Sequence, residues 1–165
     1  MAQQQPDLTG RRAGLWDIEE WVRRGEAGAA FAALTSNAAG LASFELFTVS
    51  ADFWLIDVLL SASSAVTWTL WTHGYPPQGV SGGSNNGLSG PGAPVNAPTL
   101  YLYGNVAPAP GGNQAMSGSV PGGFFGSILG RAKLFAPKSN AWNLTVGGPA
   151  LSANVVTFVY LTATA

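Results

Sequence analysis

The chain has 165 residues, of which 47% are apolar and only 9% charged, with no cysteine and a formal net charge of -1. That length and apolar content suit one domain with its own core and argue against global disorder. The absence of thiols excludes disulfides and thiolate metal sites, and the lack of clustered Lys and Arg argues against a nucleic-acid footprint.

Ordinary soluble domains carry roughly 25% charged residues. A chain so far below that covers its surface with small polar residues or buries it against partners. Nine of its charges fall between Asp7 and Glu26, and none lies between Asp57 and Arg131. The opening Met1–Asp7 has neither the basic start nor the apolar run of a secretory signal. The stretch from Phe44 to Trp71 is broken by Glu45, Asp52 and Asp57, and reads as strands and not as a membrane helix.

In chain order, Gly14 to Arg24 carries Leu15, Ile18 and Val22 at helical spacing. Its acids come early and its arginines late, as the helix dipole favours. The Ala-rich run to Leu34 is expected to form a second short helix, and the chain is expected to divide at about residue 40 into an arm (1–40) and a β domain (41–165). From Phe44 the period becomes two. Phe53 to Leu60 reads as a central strand with Trp54, Ile56, Val58 and Leu60 on one face. Ser61 to Ala65 reads as a hairpin connection into Val66–Thr72.

Residues 74–98 are rich in Gly, Pro, Ser and Asn, and read as a long functional or mobile loop. Strands are expected again at 100–103, 128–135, 142–146 and 155–161. About seven or eight short strands separated by turns predict an all-β, jelly-roll-like sandwich with a short N-terminal helical arm.

Catalytic chemistry is poorly supplied. His73 is the single histidine and has no nucleophile-elbow sequence near it, so it reads as a surface or loop-anchoring residue. The rival reading is a hydrolase site around it. Asp52 and Asp57 fall on opposite faces of an extended segment, and Arg131 and Lys133 are the candidate ion partners of Asp57. The glycines at 82–87 lack the order of a phosphate cradle. The sequon Asn143-Leu144-Thr145 sits in an expected strand and reads as chance. No metal and no cofactor is expected, and the chain reads as a non-enzyme.

Trp54, Trp68 and Trp142 are expected in the core, whereas Trp71, Tyr75, Tyr101 and Tyr103 fall on the other strand faces or in a loop. With Trp16 and Trp21 of the helical segment, these are the candidate partner-binding residues. They suit either a sugar-stacking platform or burial between subunits, and the charge deficit favours subunits.

The order Phe47-Thr48-Val49, Phe53-Trp54-Leu55-Ile56-Asp57-Val58, Ser61-Ala62-Ser63-Ser64-Ala65 and Val66-Thr67-Trp68-Thr69-Leu70 resembles the opening of small jelly-roll proteins on tailed bacteriophage particles. Leu134-Phe135-Ala136-Pro137, Ala141-Trp142-Asn143-Leu144 and Val155 to Leu161 are similar to the ends of those domains. The likeness rests on strand patterns over about residues 44–162. It implies a capsid decoration or cement protein, assembled in the host cytoplasm into the virion. Such a protein would act as a dimer or trimer and bind the major capsid protein through a terminal segment. The alternative is a carbohydrate- or receptor-binding module of a tail, spike or head fibre.

Overall fold

The computed structural model describes residues 17–74, 77, 79–90, 92–103 and 112–162. After a short helix, α1 (Asp17–Arg23), come twelve strands. They are β1 (Ala27–Thr35), β2 (Leu41–Phe47), β3 (Phe53–Ala62), β4 (Val66–His73), β5 (Val80–Ser81), β6 (Ser84–Gly87), β7 (Thr99–Tyr103), β8 (Asn113–Val120), β9 (Phe124–Ser127), β10 (Leu134–Ala136), β11 (Ala141–Gly147) and β12 (Ala153–Thr162). They form two antiparallel sheets, and the protein is the expected all-β, jelly-roll-like sandwich. Sheet A has the order β10-β3-β12-β1-β6, with β9 also paired to β3. Sheet B has the order β5-β7-β2-β11-β4-β8.

The core lies between the sheets and is built by alternation. Ala42, Phe44 and Leu46 of β2, Val66, Trp68 and Leu70 of β4, and Trp142, Leu144 and Val146 of β11 point inward from sheet B. Phe53, Leu55, Val58 and Leu60 of β3 meet them from sheet A, together with Val156, Phe158 and Tyr160 of β12.

The Ala-rich run is a strand and not a second helix. β1 pairs with all of β12, from Ala27 opposite Leu161 to Thr35 opposite Ala153. Its inward residues Gly28, Ala30 and Ala32 stand opposite Tyr160, Phe158 and Val156, so small side chains there make room for large ones. Alanine's helix preference of under 1 kcal/mol per residue is outweighed by that tertiary pairing. The expected division at residue 40 therefore falls after the first strand of the sandwich, not before it.

β3 departs from strict alternation. Asp57 opposes Val159 and Leu55 opposes Tyr160, so Ile56 is an extra residue at a bulge. Phe53 and Leu55 consequently face the core, while Trp54 and Ile56 face outward, contrary to the single face expected for Trp54, Ile56, Val58 and Leu60. Ser63–Ala65 is no hairpin either, because β3 and β4 lie in different sheets and the segment crosses between them. Of the strand expected at 128–135 only Leu134 and Phe135 are strand, in the three-residue β10, and residues 128–133 form the turn that links it to β9. β8 was not foreseen, and β5 and β6 lie within the stretch expected to be a loop.

Candidate functional site

Sheet B turns a polar face outward. Ser43, Glu45, Thr145, Asn143, Trp71 and His73 alternate with the core residues of their strands, and the register lines up Tyr101, Glu45, Asn143 and Trp71 across four strands. At its centre Glu45 is almost fully buried. Its Oε2 accepts from the Tyr103 hydroxyl at 2.9 Å and from Asn143 Nδ2 at 3.1 Å, and His73 Nε2 lies 3.2 Å away. Asn143 Oδ1 in turn accepts from Ser43 Oγ at 3.0 Å and Thr145 Oγ1 at 3.2 Å. Such a cluster holds the face in one arrangement, and it centres on Glu45, whose loss removes the acceptor that Tyr103 and Asn143 share.

This geometry places several expected site residues. Trp71 and Tyr101 share the outer face and are half-buried, Tyr101 standing edge-on to Phe47 with ring centroids 6.5 Å apart. Tyr103 is buried and spends its hydroxyl on Glu45, so it is not presented to a partner. His73 is not a surface residue, because its side chain is only 6% exposed beside Glu45. Asn143 is buried, which agrees with reading its sequon as chance. Tyr75 and Trp16 lie outside the described residues.

Trp21 is 3% exposed. It packs with Ala27, Ile56 and Leu161, and with Trp54, Val22 and Val159, on the outer face of sheet A. It therefore anchors α1 to its own sandwich and does not point toward a partner. Arg24 lies over the Trp21 ring and pairs with the buried Glu26 at 2.8 Å, fastening the end of the helix. Trp54, expected in the core, lies in this outer cluster against Phe135, with ring centroids 5.1 Å apart.

Beyond the reach of α1, the outer face of sheet A is covered by no element among the described residues. Phe31 opposes Thr157, Thr157 opposes Leu59, and Leu59 opposes Ser127. In the next row Ala33, Val155, Ser61 and Phe125 stand side by side. Phe31 is 41% exposed, Phe125 75% and Val155 39%. The one charge on these rows and the row beside them is Asp57, which accepts from the Ser127 hydroxyl and from the amide of Val58. The expected pairing of Asp57 with Arg131 or Lys133 is not formed; Lys133 Nζ donates instead to the carbonyl of Ile56 at 3.0 Å.

Phe31 is expected from sequence, with Leu34, to be an apolar contact of a second helix, and Phe125, beside glycines, carries no expectation; both instead stand exposed on this sheet face. The alternation Ala29-Phe31-Ala33, a large residue between small ones at period two, was the available signal.

Among the described residues no group of three or more His, Asp or Glu is placed to hold a metal ion. None of their helices is long and apolar enough to cross a membrane. No family model matches the chain, and neither a curated protein nor a solved structure matches it.

Proposed function

We propose that this chain is a non-enzymatic structural protein of a virus particle, of the capsid decoration or cement type, which binds and stabilises the shell through largely apolar contacts. The observation that carries the reading is the open, almost uncharged half of the outer face of sheet A. Phe31 and Phe125 leave about 230 Å² of side chain exposed there, at roughly 200 Å² per ring residue, with the part-exposed Val155 beside them. Patches of that order on a single soluble chain are often functional.

The magnitudes also say how such a surface works. Burying about 230 Å² supplies roughly 6 kcal/mol at about 25 cal/mol per Å². Association costs of about 4–15 kcal/mol offset most of that for one isolated copy. Such a face holds firmly only where several copies are linked on a repeating surface, which is the situation of a decoration protein on a shell. The neutral surface suits a shell contact that salt does not weaken.

The test is sedimentation with particles assembled from the coat protein of the same source and stripped of accessory proteins. Saturable co-sedimentation is expected, with Phe31→Ser and Phe125→Ser together weakening it by about tenfold or more. A chain left in the supernatant, or folded variants that pellet like the parent, would overturn the reading.

A second reading is favoured by a separate observation. Trp71 and Tyr101 flank Asn143 and Glu45 in one row, three strand spacings or about 14 Å apart. Two aromatic rings so placed suit an oligosaccharide, in a receptor-binding module. Quenching of tryptophan fluorescence by glycans, lost in Trp71→Ala, would support it.

A further inference from the structure

Sheets end in strands whose outward backbone groups are unpaired, and proteins guard those ends with short strands, charges, proline or bulges. This fold guards most of its ends by shortness. β5 has two residues, β10 three, and β6 and β9 four each. β8 is the exception. It runs for eight residues at the end of sheet B, Asn113-Gln114-Ala115-Met116-Ser117-Gly118-Ser119-Val120, without one charge or proline. Its single protective device is a bulge at Ala115, between the pairs of Met116 with Leu70 and Gln114 with Trp71. The bulge leaves Met116–Val120 as a regular five-residue edge against Val66–Leu70. Among the described residues the backbone of β8 makes no ladder other than the one to β4.

That five-residue edge has the symmetry of a self-pairing strand. Met116 and Val120 turn toward the core, Ser117 and Ser119 are exposed, and Gly118 lies between them. The order apolar-Ser-Gly-Ser-apolar reads alike in both directions. Two copies set antiparallel about Gly118 would oppose Met116 to Val120, Ser117 to Ser119, and Gly118 to itself. Apolar side chains then meet on the core side and hydroxyls meet on the solvent side, both favourable cross-strand pairs. An isologous contact requires such self-complementarity. Gly118 also has a local reason to be glycine, since a Cβ there would come within 2.8 Å of the Trp68 ring.

We infer that β8 is the self-association edge of this protein, and that two copies join antiparallel through Met116–Val120 into one continuous sheet of two B halves. The partner is a second copy, and the assembly is a two-fold dimer. The inference rests on the edge alone and would stand even if the outer face of sheet A bound no shell.

Charge substitution at the two serines tests both the contact and its register. Both side chains are exposed, and among the described residues the only side-chain bond at risk is the one from Gln114 Nε2 to Ser117 Oγ at 3.1 Å. Light scattering of the purified full chain at about 1–100 µM is expected to give a dimer. Ser117→Lys with Ser119→Lys places lysine opposite lysine twice, and should weaken the dimer by about tenfold or more. Ser117→Lys with Ser119→Glu places lysine opposite glutamate twice, and should restore it. Phe31→Ser with Phe125→Ser should leave the dimer intact while weakening shell binding, which separates this inference from the proposed function. A monomeric parent chain, a dimer indifferent to the lysine pair, equal effects of the two charge variants, or loss of the dimer in the phenylalanine variant would each overturn it.

Discussion

Replacing Gly28 by alanine gives effects of opposite sign according to whether residues 27–35 are helix or strand. In a helix the change would stabilise the chain by about 1 kcal/mol, because glycine is that much poorer than alanine there. It would also reduce the freedom of the unfolded chain, worth about 0.4–1 kcal/mol. In β1, Gly28 lies directly opposite Tyr160, and an added Cβ would sit 2.5 Å from the ring carbon that bears the hydroxyl. Tyr160 has little freedom to yield. It is fully buried in the core, and its hydroxyl is bonded to Asn85. Overpacking of this kind costs about 1–3 kcal/mol, and displacing the ring endangers a hydrogen bond worth about 1 kcal/mol. After the unfolded-state gain is subtracted, Gly28→Ala should destabilise the protein by about 1–3 kcal/mol. For a domain of this size that lowers Tm by about 3–10 °C. Thermal and urea unfolding followed by near-ultraviolet circular dichroism would measure it. In a Tyr160→Leu background the same substitution should cost less, because the two sites are in contact. A raised Tm, or an equal cost in both backgrounds, would refute the reasoning.

Burial raises the pKa of the Tyr160 hydroxyl well above its usual value, with the bond to Asn85 opposing the shift. The unfolded chain then loses this proton from about pH 10 while the folded chain keeps it, so stability should fall by about 1.4 kcal/mol per pH unit above pH 10. Tyr160→Phe should flatten that fall, and a Phe variant with the alkaline slope of the parent would refute the assignment. On sheet B, Glu45→Leu leaves Tyr103, Asn143 and His73 without their shared acceptor, and should cost about 3–5 kcal/mol. Glu45→Gln keeps an acceptor oxygen and should cost about 1–2 kcal/mol; equal costs in urea unfolding would show that the cluster does not act through that oxygen.

The fold class was legible because it depends on a period. In β4 and β11 the alternation put Val66, Trp68, Leu70 and Trp142 on the core side, and the structure has them there. Failures came where tertiary pairing overrode a local signal. The alanines of β1 look helical in isolation, and only Phe158 and Tyr160 across the ladder explain why small residues stand there. Ile56 could not be recognised as a bulge residue, because a bulge is a relation to the partner strand and leaves no mark in the apolar run. β8, with neither β-branched nor aromatic residues before Val120, carries no strand propensity and is formed by pairing to β4. The buried cluster was invisible for the same reason. Glu45, His73, Tyr103 and Asn143 lie 28 to 98 residues apart along the chain, and only the register of sheet B joins them.

The charge deficit acquires a direction once the strands are in place. The main-chain carbonyl of Glu26 accepts from the amide of Thr162, Thr162 opposes Phe53, and Phe53 opposes Ala136. Asp52 accepts the amide of Lys138, and Lys133 reaches the carbonyl of Ile56. These charges, with those of α1, therefore gather at one end of sheet A. Toward the other end lie Phe31, Val155 and Phe125, followed by the crossing at Ser63–Ala65 that leads into β4. The paired edge of β8 runs beside the start of β4, so Met116–Val120 belongs to this neutral end too. A sandwich charged at one end and neutral at the other has a built-in orientation. Water solvates the charged end at no cost, whereas the neutral end gains by contact with protein. Both proposed contacts, the sheet face on a shell and the β8 edge on a second copy, fall on the half where desolvation strands no charge.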